Sequence, residues 1–295
     1  MNVIGNKKIF LTVSGLLMVA GLVAIFVLGF KPGIDFAGGT LWQVRFPGST
    51  ISREELQTFF TDTLKLPHIV ITADTTTGQF LVRSDEIKEE DHAKFLGELK
   101  TKFSNVEELG FETIGAAIGK ETEQKAITAF VLVLLAISLY IAFAFRKVSH
   151  PVQSWKYGLI TLLTLFHDAV IPAGMVAVLG SMRNVEIDVN FIVAILMVVG
   201  FSVHDTIVVF DRIRENLRSS NGKTSFDEIV NASVNQTMAR SVNTSLTIVL
   251  VLVALFIFGA SSLHYFVLTI LVGIVVGTYS SIFVASPLLT LWKRK

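Results

Sequence analysis

Cysteine is absent from the 295 residues. That removes disulfides, thiolate metal sites and a cysteine nucleophile from consideration. Charge is also scarce. Asp, Glu, Lys and Arg make up 17% of the chain, where a soluble domain carries about 25%. Hydrophobic residues reach 52% and the mean hydropathy is +0.63. These numbers exclude an ordinary soluble enzyme, and they exclude intrinsic disorder. A net charge of +1 gives no support to a nucleic-acid partner. The length suggests about two domains at roughly 150 residues each.

What the chain has instead is long apolar runs. A membrane-spanning helix needs about 20 such residues. Ile9–Phe30, Ala126–Phe145, Ser241–Leu263 and Tyr265–Trp292 carry no charge. Tyr157–Met182 is apolar except for His167 and Asp168, and Val189–Phe210 except for His204 and Asp205. Six spans are therefore expected. The first is too long for the core of a signal peptide, and no A-x-A site follows it, so it reads as a retained anchor.

Basic residues set the orientation. Lys7, Lys8, Arg146, Lys147, Lys156, Arg212, Arg214, Arg218, Lys223, Arg240, Lys293, Arg294 and Lys295 all fall on one side of the six spans. On the other side, the short segment 180–188 has only Arg183 and 259–264 has none. Both termini are expected in the cytoplasm, with the 31–125 segment outside. The expected organisation is 1–30 for the N-terminus and first span, 31–125 for the outer domain, and 126–295 for a five-helix membrane domain. A cytoplasmic loop, 211–240, lies within the last of these. A helix opening at Ser225-Phe226-Asp227-Glu228 would lie along the membrane surface.

The outer segment holds 11 basic and 16 acidic residues, a net charge of −5. Thr40–Phe46 alternates like a strand. Ser52-Arg53-Glu54-Glu55 opens a helix as a capping box does. His68–Ala73 and Gln79–Arg83 read as strands, Ile87–Phe103 as an amphipathic helix, and Val106–Ile114 as a last strand. The order β-α-β-β-α-β is that of a ferredoxin-like α+β unit. Nothing in it suggests a nucleophile or metal ligands.

Ionisable groups inside a span are costly and are functional candidates by default. Asp168 and Asp205 are the two acids, each preceded by a histidine. At 1.5 Å per residue, Asp168 lies roughly 16 Å from the cytoplasmic end of its span, and Asp205 roughly 9 Å. Ser202, Asp205 and Arg212 share one helix stripe. Arg240, Asn243, Thr244 and Thr247 form a second stripe at the entrance of the fifth span. A polar stripe cannot face lipid cheaply, so it should meet a partner helix or water. A carboxylate kept from water takes up a proton more readily, and a nearby cation opposes this. Asp205 is thus the expected ion-coupling residue, with Arg240 tuning it and Asp168 as a weaker second acid. Ser202, His204, Asn243 and Thr244 supply polar support, and the two histidines, His167 and His204, read as packing or orienting groups rather than metal ligands. Gly273, Gly277, Ser281 and Ala285 form a small-residue ribbon read as packing. No cofactor and no metal are expected.

The run Val199-Gly200-Phe201-Ser202-Val203-His204-Asp205-Thr206-Ile207-Val208-Val209-Phe210-Asp211-Arg212-Ile213-Arg214-Glu215-Asn216 resembles the fourth-span signature of the SecF family of protein-export membrane subunits. Gly33-Ile34-Asp35-Phe36-Ala37-Gly38-Gly39-Thr40, Phe166-His167-Asp168, Gln236-Thr237 and Arg240-Ser241-Val242-Asn243-Thr244-Ser245 are similar to it as well. The resemblance covers the whole chain. It implies half of an RND-type membrane bundle, paired with a second six-span chain, SecD, beside the SecYEG translocon of the bacterial inner membrane. It implies use of the proton gradient, or of sodium, to draw an exported unfolded polypeptide outward, with Asp205 and Arg240 at the family's ion-coupling positions. Lipid surrounds the spans. Three other readings compete: an RND-like half-transporter of small hydrophobic molecules, an intramembrane aspartyl protease using Asp168 and Asp205 as a dyad, and a structural scaffold.

Overall fold

The computed structural model describes all residues except 48–50, 75–77, 104, 147–151, 221–223 and 293–295. Lys147, Lys223, Lys293, Arg294 and Lys295 lie outside the described residues. In chain order the elements begin with helix α1 (Lys7–Leu28), the short α2 (Ile34–Ala37) and strand β1 (Gly39–Arg45). Helix α3 (Arg53–Thr58) runs into a π-helical turn, Phe59–Thr63, before β2 (Val70–Asp74) and β3 (Gln79–Ser84). Helix α4 (Glu89–Lys102) and β4 (Glu107–Ile114) follow. Then come α5 (Ala116–Ala144), α6 (Ser154–Arg183), α7 (Val189–Ser219) and α8 (Phe226–Phe258). Helix α9 (His264–Ser280) continues through a π segment, Ser281–Ala285, into α10 (Ser286–Leu291). Among the described residues, six helices are long and apolar enough to cross a membrane: α1, α5, α6, α7, α8 and the α9–α10 run. The protein is a multi-pass membrane protein with a small α+β unit.

The chain divides into two compact units, Pro32–Ile127 and the remainder, Met1–Lys31 with Thr128–Lys295. The smaller unit is a four-stranded sheet in the order β2-β3-β1-β4, with every neighbouring pair antiparallel. With helices between β1 and β2 and between β3 and β4, this is the ferredoxin-like topology. Alternation along β1 sends Trp42 and Val44 into the core, where they meet Phe80 and Val82 of β3 and the helix residues Leu56 and Leu99. Trp42 packs edge-on against Phe60 and Phe111 at 5.7 and 5.6 Å. Ser52 caps α3, its side chain accepting from the Glu55 N–H at 3.1 Å. Strand β2 starts at Val70 rather than at His68, because His68 has φ +55°, a left-handed conformation that no strand contains.

Gly38 and Gly39 explain the glycine pair at the start of β1. Both have positive φ, +77° and +114°. A Cβ on Gly38 would stand 2.6 Å from the Ala116 Cα, and one on Gly39 2.7 Å from the Ser84 carbonyl oxygen. Only glycine satisfies both the backbone and the space there.

In the membrane unit, α9 packs against α6, α7 and α8. Its glycines permit this. A Cβ on Gly273 would fall 2.1 Å from Val198 Cγ2, and one on Gly277 2.9 Å from Ser202 Cβ, both on α7. The 211–240 segment differs from the expected loop. α7 runs on to Ser219, and α8 is one unbroken helix from Phe226 through the fifth span. The reason is local: 226–258 contains no Gly or Pro, so nothing stops the helix. Ser225 and Glu228 form its capping box, and Phe226, Val230 and Val234 are buried against Val209, Phe210 and Ile213 rather than lying on a surface. Asn231 of α8 also holds the N-terminal segment, accepting from the Val3 and Ile4 N–H groups at 2.9 and 3.2 Å.

Candidate functional site

The two acids stand on neighbouring helices, Asp168 in the middle of α6 and Asp205 in α7. Asp168 is fully buried. Its Oδ2 accepts from Ser280 Oγ at 2.6 Å and from Ser202 Oγ. Its Oδ1 faces His167 Nδ1 at 2.8 Å. Asp205 is also buried. Its Oδ1 accepts from Ser241 Oγ at 2.5 Å, and its Oδ2 accepts from Ser281 Oγ.

Each carboxylate thus has one serine from the α9 run and one from a flanking helix. Among the described residues the acids are bound to separate serines and not to each other, so they do not form a dyad sharing one proton. No lysine or arginine is hydrogen-bonded to either acid among the described residues. Their partners are hydroxyls, and for Asp168 an imidazole. A hydroxyl both donates and accepts. The hydrogen bonds can therefore persist whether the carboxyl is ionised, protonated or bound to a small cation.

The sequence-derived residues are only partly brought together. Asp205 and Asp168 are in the bundle core as expected. Ser202 serves Asp168, not Asp205, although it shares a helix stripe with Asp205. Arg240, Asn243 and Thr244 are exposed. The inward face of α8 carries Thr237, Ser241 and Ser245 instead, all buried. Ser245 Oγ donates back to the Ser241 carbonyl at 2.5 Å. His204 is exposed, and the orienting histidine is His167. Arg212 is engaged at the helix surface, donating to Gln236 and Glu215 at 2.6 Å each.

Three residues of the site escaped the sequence reading: Ser241, Ser280 and Ser281. Ser281 belongs to the ribbon read as packing, and that reading is corrected here, since its hydroxyl binds Asp205. The available signal was a pair of adjacent hydroxyls in a span with no charge. The π segment begins at Ser281. Pro287 has no N–H to give to the Phe283 carbonyl, and Ser286 Oγ donates to the Ser281 carbonyl at 3.2 Å. Single π turns of this kind often mark functional places in helices.

A family model described as "Protein export membrane protein SecD/SecF, C-terminal" matches residues 94–295. The chain belongs to the SecD/SecF family. A second model of this family, its GG motif, matches residues 23–46 of the SecF-type chain, which include the Gly38-Gly39 pair. Protein translocase subunit SecF of Thermobaculum terrenum is 44% identical over 296 residues, covering 97% of this chain and 92% of that one. SecF of Anaerolinea thermophila is 36% identical over 298 residues, with 99% and 94% covered. The SecDF of Thermus thermophilus is 40% identical over 95% of this chain, which spans 37% of the longer protein. The crystal structure of SecDF, a translocon-associated membrane protein, from Thermus thermophilus superposes with a TM-score of 0.84 at 36% identity. It covers 99% of this SecF-type chain and 38% of its own. Family and fold agree with the resemblance carried by residues 33–40, 166–168 and 199–216.

Proposed function

We propose that this chain is the SecF-type half of an ion-driven accessory to the Sec export machinery, without enzymatic activity of its own. The observation that supports the coupling is the pair of buried carboxylates held by hydroxyls alone or with an imidazole. A carboxylate deep in a span is expensive to keep charged. Among the described residues no guanidinium or ammonium is hydrogen-bonded to it to lock its charge, so binding a proton or sodium ion can discharge it. One charge crossing the membrane releases about 2.3 kcal/mol per 100 mV.

The partner is SecD. The exposed stripe of Arg240, Asn243 and Thr244 is a polar face that lipid does not satisfy, and a second six-span chain covers it. Arg240 is next in sequence to Ser241, the ligand of Asp205. A shift of the partner against α8 therefore moves a cation relative to the acid. The basic flanks support a reading in which both termini lie in the cytoplasm and the 31–125 unit outside. There, chain continuity with α1 and α5 delivers the movement to the exported unfolded polypeptide emerging from SecYEG.

The test is export into inverted inner-membrane vesicles, with and without an ion gradient. Asp205→Asn keeps the size and one acceptor but no longer titrates. Export by the variant should fall to the level seen without a gradient, while the two-chain complex still assembles. Gradient-dependent export in Asp205→Asn equal to that of the native chain would sink the assignment.

A further inference from the structure

Helix α1 buries only two of its residues, Ser14 and Gly21. They are seven apart, two turns along one stripe, or about 10.5 Å along the axis. Gly21 shows what this stripe rests on. A Cβ on Gly21 would stand 3.0 Å from the Val170 carbonyl oxygen, and one on Gly174 2.5 Å from Gly21 Cα. The two helices run in the same direction, since Lys31, just past α1, donates to Asn184 Oδ1, just past α6, at 2.5 Å. His167 precedes Gly174 by seven residues, as Ser14 precedes Gly21. Ser14 and His167 are therefore level on facing stripes. They are 2% and 4% exposed. Ser14 Oγ and His167 Nε2 are both buried without a hydrogen-bond partner among the described residues. Two such atoms left unsatisfied are costly. The other ring nitrogen, Nδ1, is the one on Asp168.

We propose that the space between Ser14 and His167 binds a water molecule, and that His167 relays a proton between this water and Asp168. The inference rests on the reading of the buried acids as ion-carrying groups, and it commits Asp168 to the proton. With Asp168 ionised, Nδ1–H donates to Oδ1 and Nε2 accepts from the water. A proton delivered by the water, as hydronium, binds Nε2 and makes the imidazolium. The Nδ1 proton then passes to Oδ1. One proton has entered, and the products are a neutral carboxyl and a neutral imidazole protonated on Nε2. The carboxyl now donates to Nδ1, and Nε2–H donates to the water, whose far side is held by Ser14. The reverse sequence releases the proton. Nε2 thus changes from acceptor to donor in each cycle. Water and a serine hydroxyl answer both states, because each can donate or accept. No other charge competes from the spans around α6. α1 is uncharged from Ile9 to Phe30, α5 from Ala126 to Phe145, and the α9–α10 run from Tyr265 to Trp292. Within Val189–Phe210, α7 brings His204, which is exposed, and Asp205, whose oxygens are taken by Ser241 and Ser281; its remaining charges, Asp211, Arg212, Arg214, Glu215 and Arg218, come after that span.

The test uses the full chain with its SecD partner in liposomes. Infrared difference spectra follow the protonated carboxyl band after a pH jump. The Asp168 band is the one missing from Asp168→Asn. His167→Gln and Ser14→Ala should each slow its appearance, His167→Gln by about a hundredfold, and Ser14→Thr should restore the native rate. If His167→Gln does not assemble, Ser14→Ala, which removes a single oxygen, carries the test. An unchanged rate in these variants overturns the relay and leaves ion coupling standing. A spectrum with no band lost in Asp168→Asn overturns both the relay and Asp168 as a proton carrier.

Discussion

Ser280 and Ser281 are adjacent in the chain and serve different acids, Ser280 binding Asp168 and Ser281 binding Asp205. Neighbouring residues on a helix point about 100° apart, so this division requires the α9 run to sit between α6 and α7. A small rotation or register change of that run would alter both carboxylate sites at once. The π turn that begins at Ser281 lies at this junction.

Ser280→Ala and Ser281→Ala should therefore separate. Each removes one hydrogen bond to a buried carboxyl, worth about 1.5–3 kcal/mol if the acid is charged, and similar losses of thermal stability in detergent are expected. Their effects on export should differ. Ser281→Ala should weaken gradient-dependent export as a milder form of Asp205→Asn, and Ser280→Ala should do less. Equal export defects in vesicles would contradict this.

Gly273 and Gly277 set how closely α9 approaches α7. Gly273→Ala places a methyl 2.1 Å from Val198 Cγ2, and overpacking of this kind costs about 1–3 kcal/mol. The matching Val198→Ala change should recover most of the loss in the double variant, since the two sites share one contact. Thermal unfolding of the four proteins measures this. Additive losses would show that the contact is not the cause.

Arg240 is exposed, so Arg240→Lys should leave the stability of the chain within about 0.5 kcal/mol of native. Gradient-dependent export should nevertheless fall in part, because lysine keeps the charge and loses the planar fork. Asp168→Asn should reduce export less than Asp205→Asn. A marked drop in melting temperature for Arg240→Lys would mean that the residue packs within its own chain.

The outer unit should fold by itself. A soluble fragment from Pro32 to Glu121 should give the circular dichroism of a mixed α+β domain. Leu56→Ala removes a side chain with no exposure and should cost about 2–5 kcal/mol in denaturant unfolding of the fragment. A disordered or wholly helical fragment would refute the prediction.

Much of this was legible in the sequence. The six spans follow from the absence of charge over 20 residues or more. The α+β unit follows from period-two alternation in 40–46 and turn residues between short β-branched runs, and the two acids stand out against apolar neighbours. The partners of those acids were not legible. In a soluble helix the buried face is the apolar one, so periodicity reveals the phase. In a membrane helix both faces are apolar, and the inward face is marked by small and hydroxylated residues that cost little on either side. α8 shows the consequence. Its conspicuous stripe of Arg240, Asn243 and Thr244 faces out of this chain, while the plainer Ser241 and Ser245 face in. Ser202 shares a stripe with Asp205, yet a side chain one turn away on its own helix is a poorer partner than Asp168 on the next. Sequence determined which residues must be dealt with inside the membrane. Only the packing of α6, α7, α8 and the α9 run decided which hydroxyl meets which acid, because helix rotation within the bundle is set by contacts between residues far apart in the chain.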